Sequence, residues 1–259
     1  MDASAKFYEE NLVKNKGALE YLHKRGLTNE TIKEFRIGFA LTGWQNILDF
    51  LRGKAFREED MQKVGLIIKS EKGGPNNFYD RFRQRIMFPI CDGQGKVVAF
   101  SGRIFEVQPA GVGTPTSTSS SESVGAKYIN SPETPLYDKS SILFGYDKAK
   151  REIMRSNMCV IVEGQMDLIM SHQAGIKNTV AVSGTALTEK HIDLLRRFTE
   201  TLVLSFDADD AGLSASDRAM KMALNKGMDV KIARVYDGKD PADLILKEPQ
   251  AWIDVIKTA

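Results

Sequence analysis

Four short segments rich in β-branched and other aliphatic residues decide the fold of this chain: "CVIV" (159–162), "TVAVSG" (179–184), "TLVLSFD" (201–207) and "DVKIARV" (229–235). Stretches with helical periodicity separate or follow them: 165–174, 187–198 and 212–226. Short strands rich in β-branched residues that alternate with helices are typical of a parallel sheet covered on both faces. Because the helical crossovers between parallel strands are right-handed, we expect a Rossmann-like α/β domain here.

The residues before this region follow a different pattern. Apolar residues at helical spacing predict helices within 6–35. The segments 85–90 and 96–105 predict two strands of a β-hairpin joined by a turn that contains Asp92 and Gly93. Proline, glycine, serine and threonine dominate 108–126, which predicts a mobile loop with almost nothing to bury.

These patterns predict how the 259 residues are divided. We expect a mixed α+β subdomain at 1–150 and the Rossmann-like domain at 151–240. The remaining segment, 241–259, opens with Pro241 at a helix start and resembles the beginning of a truncated helical segment. The expected class is therefore α/β, with an α+β subdomain in front of the parallel sheet.

Composition excludes several classes of protein. No apolar run reaches the roughly 18 residues that a membrane span needs, and no secretory signal pattern opens the chain, so we expect a cytoplasmic protein without membrane contact. Cys91 and Cys159 stand apart and form no CxxC pair, which predicts two small core residues and no zinc site within the chain. A net charge of +2 is too small to indicate a nucleic-acid partner by itself.

Carboxylates follow the predicted strands where a ligand site is expected. Glu163 ends the first strand, Asp207 and Asp209 end the third, and Asp240 lies after the fourth. In open α/β sheets, ligands bind beyond the carboxyl ends of the strands, so these side chains should share one edge. Like charges that crowd together require cations, and oxygen donors without histidine or cysteine favour Mg²⁺ or Mn²⁺. Two such ions can promote an in-line displacement at phosphorus.

Each carboxylate also has an ordinary explanation when taken alone. Glu163 could cap the following helix, Asp207 and Asp209 could be turn residues, and Asp240 before Pro241 is a common helix start. Asp210 is best interpreted as a charge in the first turn of a helix. The joint placement on one edge favours the metal site, because independent turn residues need not fall together.

Nucleotide would have to be held without a phosphate-binding loop. The sequence contains neither GxxxxGK[ST] nor GxGxxG, so metal ions and basic side chains would have to take that role. If "DRFRQR" (80–85) lies on a strand, alternation places Arg81, Arg83 and Arg85 on one face, which predicts a one-sided basic stripe. Neighbouring aromatic residues could stack on the bases of a single strand.

Motifs in both parts of the chain, before and within the predicted parallel sheet, resemble those of a known family. "VEGQMD" (162–167), "FDADDAG" (206–212) and "KDP" (239–241) resemble the Toprim domain of bacterial primases, topoisomerases and some nucleases. Upstream, "YDRFRQRIMFPI" (79–90), "SGR" (101–103) and "KYINSPET" (127–134) resemble the N-terminal half of the bacterial primase catalytic core. The resemblance runs from about Leu19 to Leu246 and is specific to primases of the DnaG type.

The resemblance implies roles for individual residues. Glu163, Asp207 and Asp209 would be catalytic metal ligands, Asp240 would assist at a second ion, and Asp167 would lie behind these ligands. A basic groove that holds DNA and nucleotide is implied at these positions: Arg25, Arg81, Arg83, Arg103, Lys127, Tyr128, Asn130 and Lys139.

The resemblance also implies an activity and partners. It implies a DNA-directed RNA polymerase that uses two or more Mg²⁺ or Mn²⁺ ions to join ribonucleoside triphosphates on a single-stranded DNA template, leaving an RNA/DNA hybrid. A zinc-binding module and a replicative helicase would be partners outside this chain, in a bacterial cytoplasm. Another Toprim phosphodiester enzyme, such as a nuclease or a topoisomerase fragment, remains an alternative, as does a non-catalytic module that binds nucleic acid or nucleotide.

Three positions depart from the family pattern, and one of them is Asp210, which stands where a basic residue is common. Ala242 stands where a second aspartate often follows the proline of "DP", and Asp243 comes one residue later, so Asp243 is left out of the predicted ligands. Gln165 stands where an aromatic residue is usual.

Overall fold

The structure, a computed structural model, describes most of the chain: residues 1–70, 77–105, 126–207, 210–235 and 240–259. The loop predicted at 108–126 lies outside the described residues, except for Ala126, and the predicted ligand Asp209 also lies outside them. Within the described ranges, no helix combines the length and the apolar character needed to cross a bilayer.

The first part of the chain packs short helices around an antiparallel sheet. Its helices are α1 (Asp2–Lys14), α2 (Lys16–Lys24), α3 (Asn29–Glu34), α4 (Asn46–Arg52) and α5 (Glu58–Lys63). Its strands are β1 (Gly38–Ala40), β2 (Ile67–Lys69), β3 (Phe78–Asp80), β4 (Arg85–Cys91), β5 (Val97–Ile104) and β6 (Tyr128–Asn130). The main sheet has the order β1-β4-β5-β6, and β2 pairs with β3 separately.

The hairpin predicted from the sequence is confirmed as β4 and β5, whose register runs from Arg85–Ile104 to Cys91–Val97. Its turn is closed by Asp92, whose Oδ1 accepts backbone hydrogen bonds from Gln94 at 2.8 Å and Lys96 at 3.0 Å. An aspartate that satisfies the N–H groups of its own turn is a typical turn residue.

The second part of the chain forms the predicted parallel sheet. After α6 (Tyr146–Ser156), strands and helices alternate: β7 (Met158–Val162), α7 (Gln165–Gln173), β8 (Thr179–Ala181), α8 (Glu189–Leu195), β9 (Thr201–Ser205), α9 (Asp210–Asn225) and β10 (Asp229–Ile232). Two helices follow: α10 (Pro241–Lys247) and α11 (Pro249–Thr258). The strand order is β10-β9-β7-β8 and all of these pairs are parallel, which confirms the α/β class.

Strand β8 is shorter than predicted, because the backbone turns immediately after it. Ser183 has φ +56 and Gly184 has φ +82, so the extended conformation predicted for 179–184 is lost after Ala181. The outer edge of β8 is partly covered by the segment before α6. Phe144 and Ala181 exchange two backbone hydrogen bonds, of 2.9 and 3.1 Å.

One apolar core extends through both sheets. It joins Ile86 and Phe88 of β4 to Val160 and Val162 of β7, and it includes the fully buried Trp252 of α11. A second core covers the other face of the parallel sheet, where α6, α8 and α9 pack. Cys159 is buried there as predicted, whereas Cys91 is only half-buried. The shared core gives the two sheets a common interior below the cleft between them.

Candidate active site

A cleft of about 380 Å³ opens where the parallel strands end. Glu163 follows β7 directly, and Asp207 lies two residues beyond the adjacent strand β9. Asp240 is the N-cap of α10, and its Oδ1 accepts the backbone N–H of Asp243 at 2.7 Å. All three carboxylates line the cleft, as the sequence predicts. We call Glu163, Asp207 and Asp240 the acidic rim.

Local contacts fix two members of the rim. Glu163 Oε1 accepts the backbone N–H of Asp207 at 3.0 Å, which links the ends of β7 and β9. Helix α9 begins close behind Asp207. The approach is so close that a Cβ atom at Gly212 would overlap the Asp207 carbonyl oxygen. A glycine is therefore required at 212 if the helix is to start in this position.

Asp167 lies behind the rim and joins two helices. It is buried in the first turn of α7, where its Oδ2 accepts the N–H of Gly164 and its Oδ1 accepts the N–H of Ala242 in α10, both at 3.1 Å. Burial, together with the charges of Asp240 and Asp207, raises the pKa of Asp167 to about 7. Asp167, Asp207 and Asp240 are therefore close enough to interact electrostatically, and oxygen donors of this kind suit hard divalent cations in general.

Basic and polar residues line the same cleft: Arg25, Arg103, Lys127, Tyr128 and Asn130. Arg103 on β5 donates a hydrogen bond to the Tyr128 hydroxyl at 2.9 Å, and its guanidinium lies over the rings of Tyr128 and Tyr21. These contacts hold the Arg103 guanidinium in place and leave its positive charge unpaired by a carboxylate in this set of contacts. We call Arg103, Lys127 and Tyr128 the basic wall.

Asp243 also lines the cleft, although the sequence analysis left it out of the ligand set. Its Oδ1 lies 3.8 Å from Nη1 of Arg25, which comes from the turn after α2. The pair connects the N-terminal helices with α10 across one end of the cleft. An ion pair with half-exposed partners of this kind contributes little stability, so its effect is on the charge of the cleft.

The structure describes three of the four predicted ligands: Glu163, Asp207 and Asp240. Among the residues that the structure describes, no group of three or more His, Cys, Asp or Glu side chains is arranged to hold an ion. Asp209, the remaining member of the predicted set, lies outside those residues.

Comparison with known proteins identifies the family. Residues 7–150 match the family model described as the N-terminal domain of the DNA primase catalytic core. The chain belongs to the bacterial DNA primase family. Residues 160–245 of this primase-family chain match a second model, described as Toprim-like.

Individual relatives agree with this assignment. The DNA primase of Clostridium acetobutylicum is 35% identical over 257 residues, which cover 99% of this chain and 40% of that protein. The RNA polymerase domain of Mycobacterium tuberculosis primase DnaG is 34% identical with a TM-score of 0.85, covering 99% of this chain and 81% of that one. A DnaG primase catalytic domain solved bound to single-stranded DNA is 34% identical with a TM-score of 0.84, covering 100% and 77%.

The chain spans about two fifths of the length of the curated primases that it matches.

Three predicted groove residues lie away from the cleft lining: Arg81, Arg83 and Lys139. Arg83 instead stacks on Trp44, with its guanidinium carbon 4.2 Å from the ring centroid, and lies 5.4 Å from the Tyr79 ring. Trp44 is 62% exposed, so one face of this cluster is open to solvent. The sequence analysis did not single out Trp44. The one signal for an exposed aromatic residue was its place directly after Gly43, in a segment without helical or strand periodicity.

The basic stripe predicted for 80–85 is wrong in its geometry. Strand β3 ends at Asp80 and β4 begins at Arg85, and Gln84 between them has φ +51, which breaks the alternation. Arg85 is buried and donates to the carbonyl oxygens of Gly102 and Ala126, both at 3.1 Å. It therefore supports the sheet and is not available to a ligand.

Proposed function

We propose that this chain is the RNA-polymerizing core of a bacterial primase, which makes short RNA primers on a single-stranded DNA template. The observation that carries the proposal is the cleft in which the acidic rim and the basic wall meet. An anionic substrate that also needs cations can use both walls at once, as a nucleoside triphosphate does. Membership of the primase family supports the same reaction.

In this proposal the rim residues hold metal ions. Glu163, Asp207 and Asp240, together with Asp209, would hold two or more Mg²⁺ or Mn²⁺ ions. When bound, such ions activate the attacking hydroxyl and stabilise the charge of the leaving group. Asp167 acts from behind by fixing the starts of α7 and α10, so that the carboxylates keep their places.

The basic wall binds the incoming nucleotide. Arg103 and Lys127 line the cleft with the rim and supply positive charge for the triphosphate. Tyr128 holds the Arg103 guanidinium by a hydrogen bond and offers an aromatic face. Asn130, which donates to the Ser183 carbonyl at 2.8 Å, keeps its strand close to the end of β8.

The template follows a separate surface. Trp44, Tyr79 and Arg83 form an exposed aromatic and cationic cluster, which is the chemistry that binds single strands without regard to sequence. A similar primase catalytic domain was solved with single-stranded DNA, which supports binding of a single strand but does not bear on where it lies. Arg81 and Lys139 would add positive charge along the path of the strand.

The proposed primase core has three segments and acts with partners outside them. We assign residues 1–150 to the N-terminal subdomain, 151–240 to the Toprim domain and 241–259 to a helical segment. A zinc-binding module and a replicative helicase are the proposed partners beyond these residues, at the bacterial nucleoid. The template, ribonucleoside triphosphates and the RNA/DNA hybrid are the nucleic-acid ligands.

The test is primer synthesis by the purified chain. Single-stranded DNA, labelled ribonucleotides and Mn²⁺ should give short RNA, with a preformed primer supplied in a parallel reaction so that elongation is seen without initiation. Glu163→Gln should abolish the product, and Glu10→Gln, which changes an exposed carboxylate of α1, should not. Shortened DNA or RNA would indicate a nuclease, and no reaction in either arm would contradict the proposal.

A further inference from the structure

Gln165 connects the two sheets beside the acidic rim. It is buried, with 4% of its surface exposed, at the first position of α7. Its Nε2 donates to the hydroxyl of Ser101 on β5 at 2.8 Å, and also to the hydroxyl of Ser183, which follows β8. One amide group therefore bridges the antiparallel sheet and the parallel sheet.

The connection closes on itself. The carbonyl oxygen of Ser183 accepts a hydrogen bond from Asn130 Nδ2 at 2.8 Å. Asn130 lies on β6 directly opposite Ser101 of β5 in the strand register. The contacts thus form a closed ring that runs from Ser101 through Gln165 and Ser183 to Asn130 and back across the sheet. We call this ring the Gln165 clamp.

The clamp touches both walls of the cleft. On the acidic side, the N–H of Ser183 donates to the carbonyl oxygen of Glu163 at 2.9 Å. On the basic side, Arg103 and Tyr128 form the next pair on the same face of β5 and β6, two residues beyond Ser101 and Asn130. A shift of one wall against the other therefore has to break a hydrogen bond of the clamp.

We propose that Gln165 is a positioning residue that sets the spacing between the acidic rim and the basic wall. The ligand that responds is one that contacts both walls, namely a divalent metal ion with a nucleoside triphosphate, and this identification rests on the proposed function. A ligand that contacts one wall does not depend on the spacing. When a reacting group is misplaced by about 1 Å, the reaction rate can fall on the order of 100-fold. A ligand held by both walls is misplaced in this way if the distance between the walls changes.

The proposal differs from a purely structural role in what it predicts. If Gln165 only satisfied two buried hydroxyls, its loss would lower stability and weaken every ligand to a similar extent. As a spacer, it leaves each wall intact and impairs only the ligand that joins them.

Three binding measurements on the folded chain separate these roles. Mn²⁺ alone, followed by electron paramagnetic resonance, reports the rim. A non-hydrolysable ATP analogue without metal, followed by calorimetry, reports the basic wall. Mn²⁺ with a non-hydrolysable ATP analogue, followed by calorimetry, reports both walls. In Gln165→Leu we expect the first two affinities within about twofold of wild type and the third reduced about 10-fold or more, the loss expected when a hydrogen bond to a charged group is no longer made.

Gln173→Leu is the matched control. Gln173 ends the same helix and also bridges to the N-terminal part of the chain, accepting from the Thr28 N–H at 3.0 Å and donating to the Gly26 carbonyl at 2.8 Å. It lies outside the clamp, so its substitution should leave binding of the Mn²⁺–ATP analogue close to wild type. An equal loss in both variants would overturn the proposal, because it would indicate general loosening.

Ser101→Ala provides a second, smaller perturbation in case Gln165→Leu does not fold. It breaks the same hydrogen bond from the other side and should weaken the Mn²⁺–ATP analogue selectively as well. Because Ser101 takes part in the clamp only through Gln165, the double variant should lose no more affinity than Gln165→Leu alone. Additive losses would overturn the clamp.

Failure of the clamp can be distinguished from failure of the proposed function. If the wild-type chain synthesises RNA but the variants lose all ligands to a similar extent, the positioning role of Gln165 is contradicted and the proposed polymerase function stands. If the variants selectively lose the Mn²⁺–ATP analogue but the wild-type chain makes no RNA, the positioning role is supported and the polymerase function is contradicted.

Discussion

The backbone N–H of Ala242 and Oδ1 of Asp167 are 3.1 Å apart, although the two residues are separated by 75 positions in the chain. This contact attaches the start of α10, which carries Asp240, to the start of α7, which follows Glu163. The rim is therefore assembled from helix starts as well as from strand ends. Its geometry depends on a buried carboxylate that need not touch the substrate.

Replacing Asp167 tests that attachment. Asp167→Ala leaves the N–H groups of Gly164 and Ala242 without this acceptor, and an unsatisfied buried donor costs about 1–3 kcal/mol. We expect a loss of about 2 kcal/mol in the free energy of unfolding, measured by urea denaturation. Asp217→Ala on α9, which removes only a surface ion pair with Lys221, should cost about 0.5 kcal/mol or less. Equal stability of the Asp167 variant and wild type would contradict this account.

Gly212 should not accept even a methyl group. Gly212→Ala places a Cβ against the backbone of Asp207, so either α9 or Asp207 has to move. We expect a loss of about 2 kcal/mol or more in stability together with loss of RNA synthesis, because Asp207 belongs to the rim. Gly53→Ala is the control, since its nearest neighbours would lie at 3.5 Å and its backbone is already helical. Wild-type synthesis by Gly212→Ala would show that the contact is not needed.

The exposed cluster of Trp44 and Arg83 predicts two separable effects on DNA binding. Trp44→Ala should weaken single-stranded DNA by about 1–3 kcal/mol with little change in salt dependence, because it removes stacking. Arg83→Ala should also lower the slope of log affinity against log salt by about 1, because it removes a charge. Arg57→Ala, which removes an exposed cation paired with Asp60, is the control. Anisotropy titrations at several salt concentrations measure both effects, and identical slopes for all variants would exclude a phosphate contact at Arg83.

His191 predicts a loss of stability in acid. It is fully buried in α8, and burial lowers its pKa from the ordinary 6.5 to about 4. As the pH falls from 6.5 towards 4, the unfolded chain takes up a proton that the folded chain does not. The stability is therefore intact above pH 6.5 and decreases below it, by up to about 3 kcal/mol at pH 4.

Urea denaturation between pH 7 and pH 4.5 measures this decrease. His191→Gln should show a shallower fall over that range than wild type, with His23→Gln at the surface as the control substitution. The same pH profile for wild type and His191→Gln would mean that other groups cause the acid instability.

The parallel sheet could be predicted from the sequence because three of its four strands, β7, β8 and β9, are buried almost throughout, whereas the edge strand β10 is largely exposed. Runs such as Cys159–Val162 contain only apolar residues, and the polar residue that ends each run marks the edge of the sheet. The sequence analysis placed Glu163, Asp207 and Asp240 at one edge from the strand order, and all three line one cleft. Strand direction accounts for Glu163 and Asp207, whereas Asp240 is brought to the cleft by the start of α10 and its contact with Asp167.

The N-terminal part was harder to predict because its contacts are not periodic. The stripe expected at Arg81, Arg83 and Arg85 failed because 81–84 connect two strands, with Gln84 at φ +51, and sequence patterns do not indicate such an angle for a residue other than glycine. Gln165 was recognised only as a departure from the family pattern. Its partners, Ser101 and Ser183, lie 64 and 18 residues away, and no local pattern connects residues at those separations.

The bridge between Phe144 and Ala181 has a consequence for association between molecules. An open edge of a sheet presents unpaired N–H and C=O groups, and another chain can add a strand to them. The segment before α6 satisfies part of that edge at β8. A substitution that loosens this segment, such as Phe144→Gly, should therefore promote aggregation of the protein before it measurably alters the cleft.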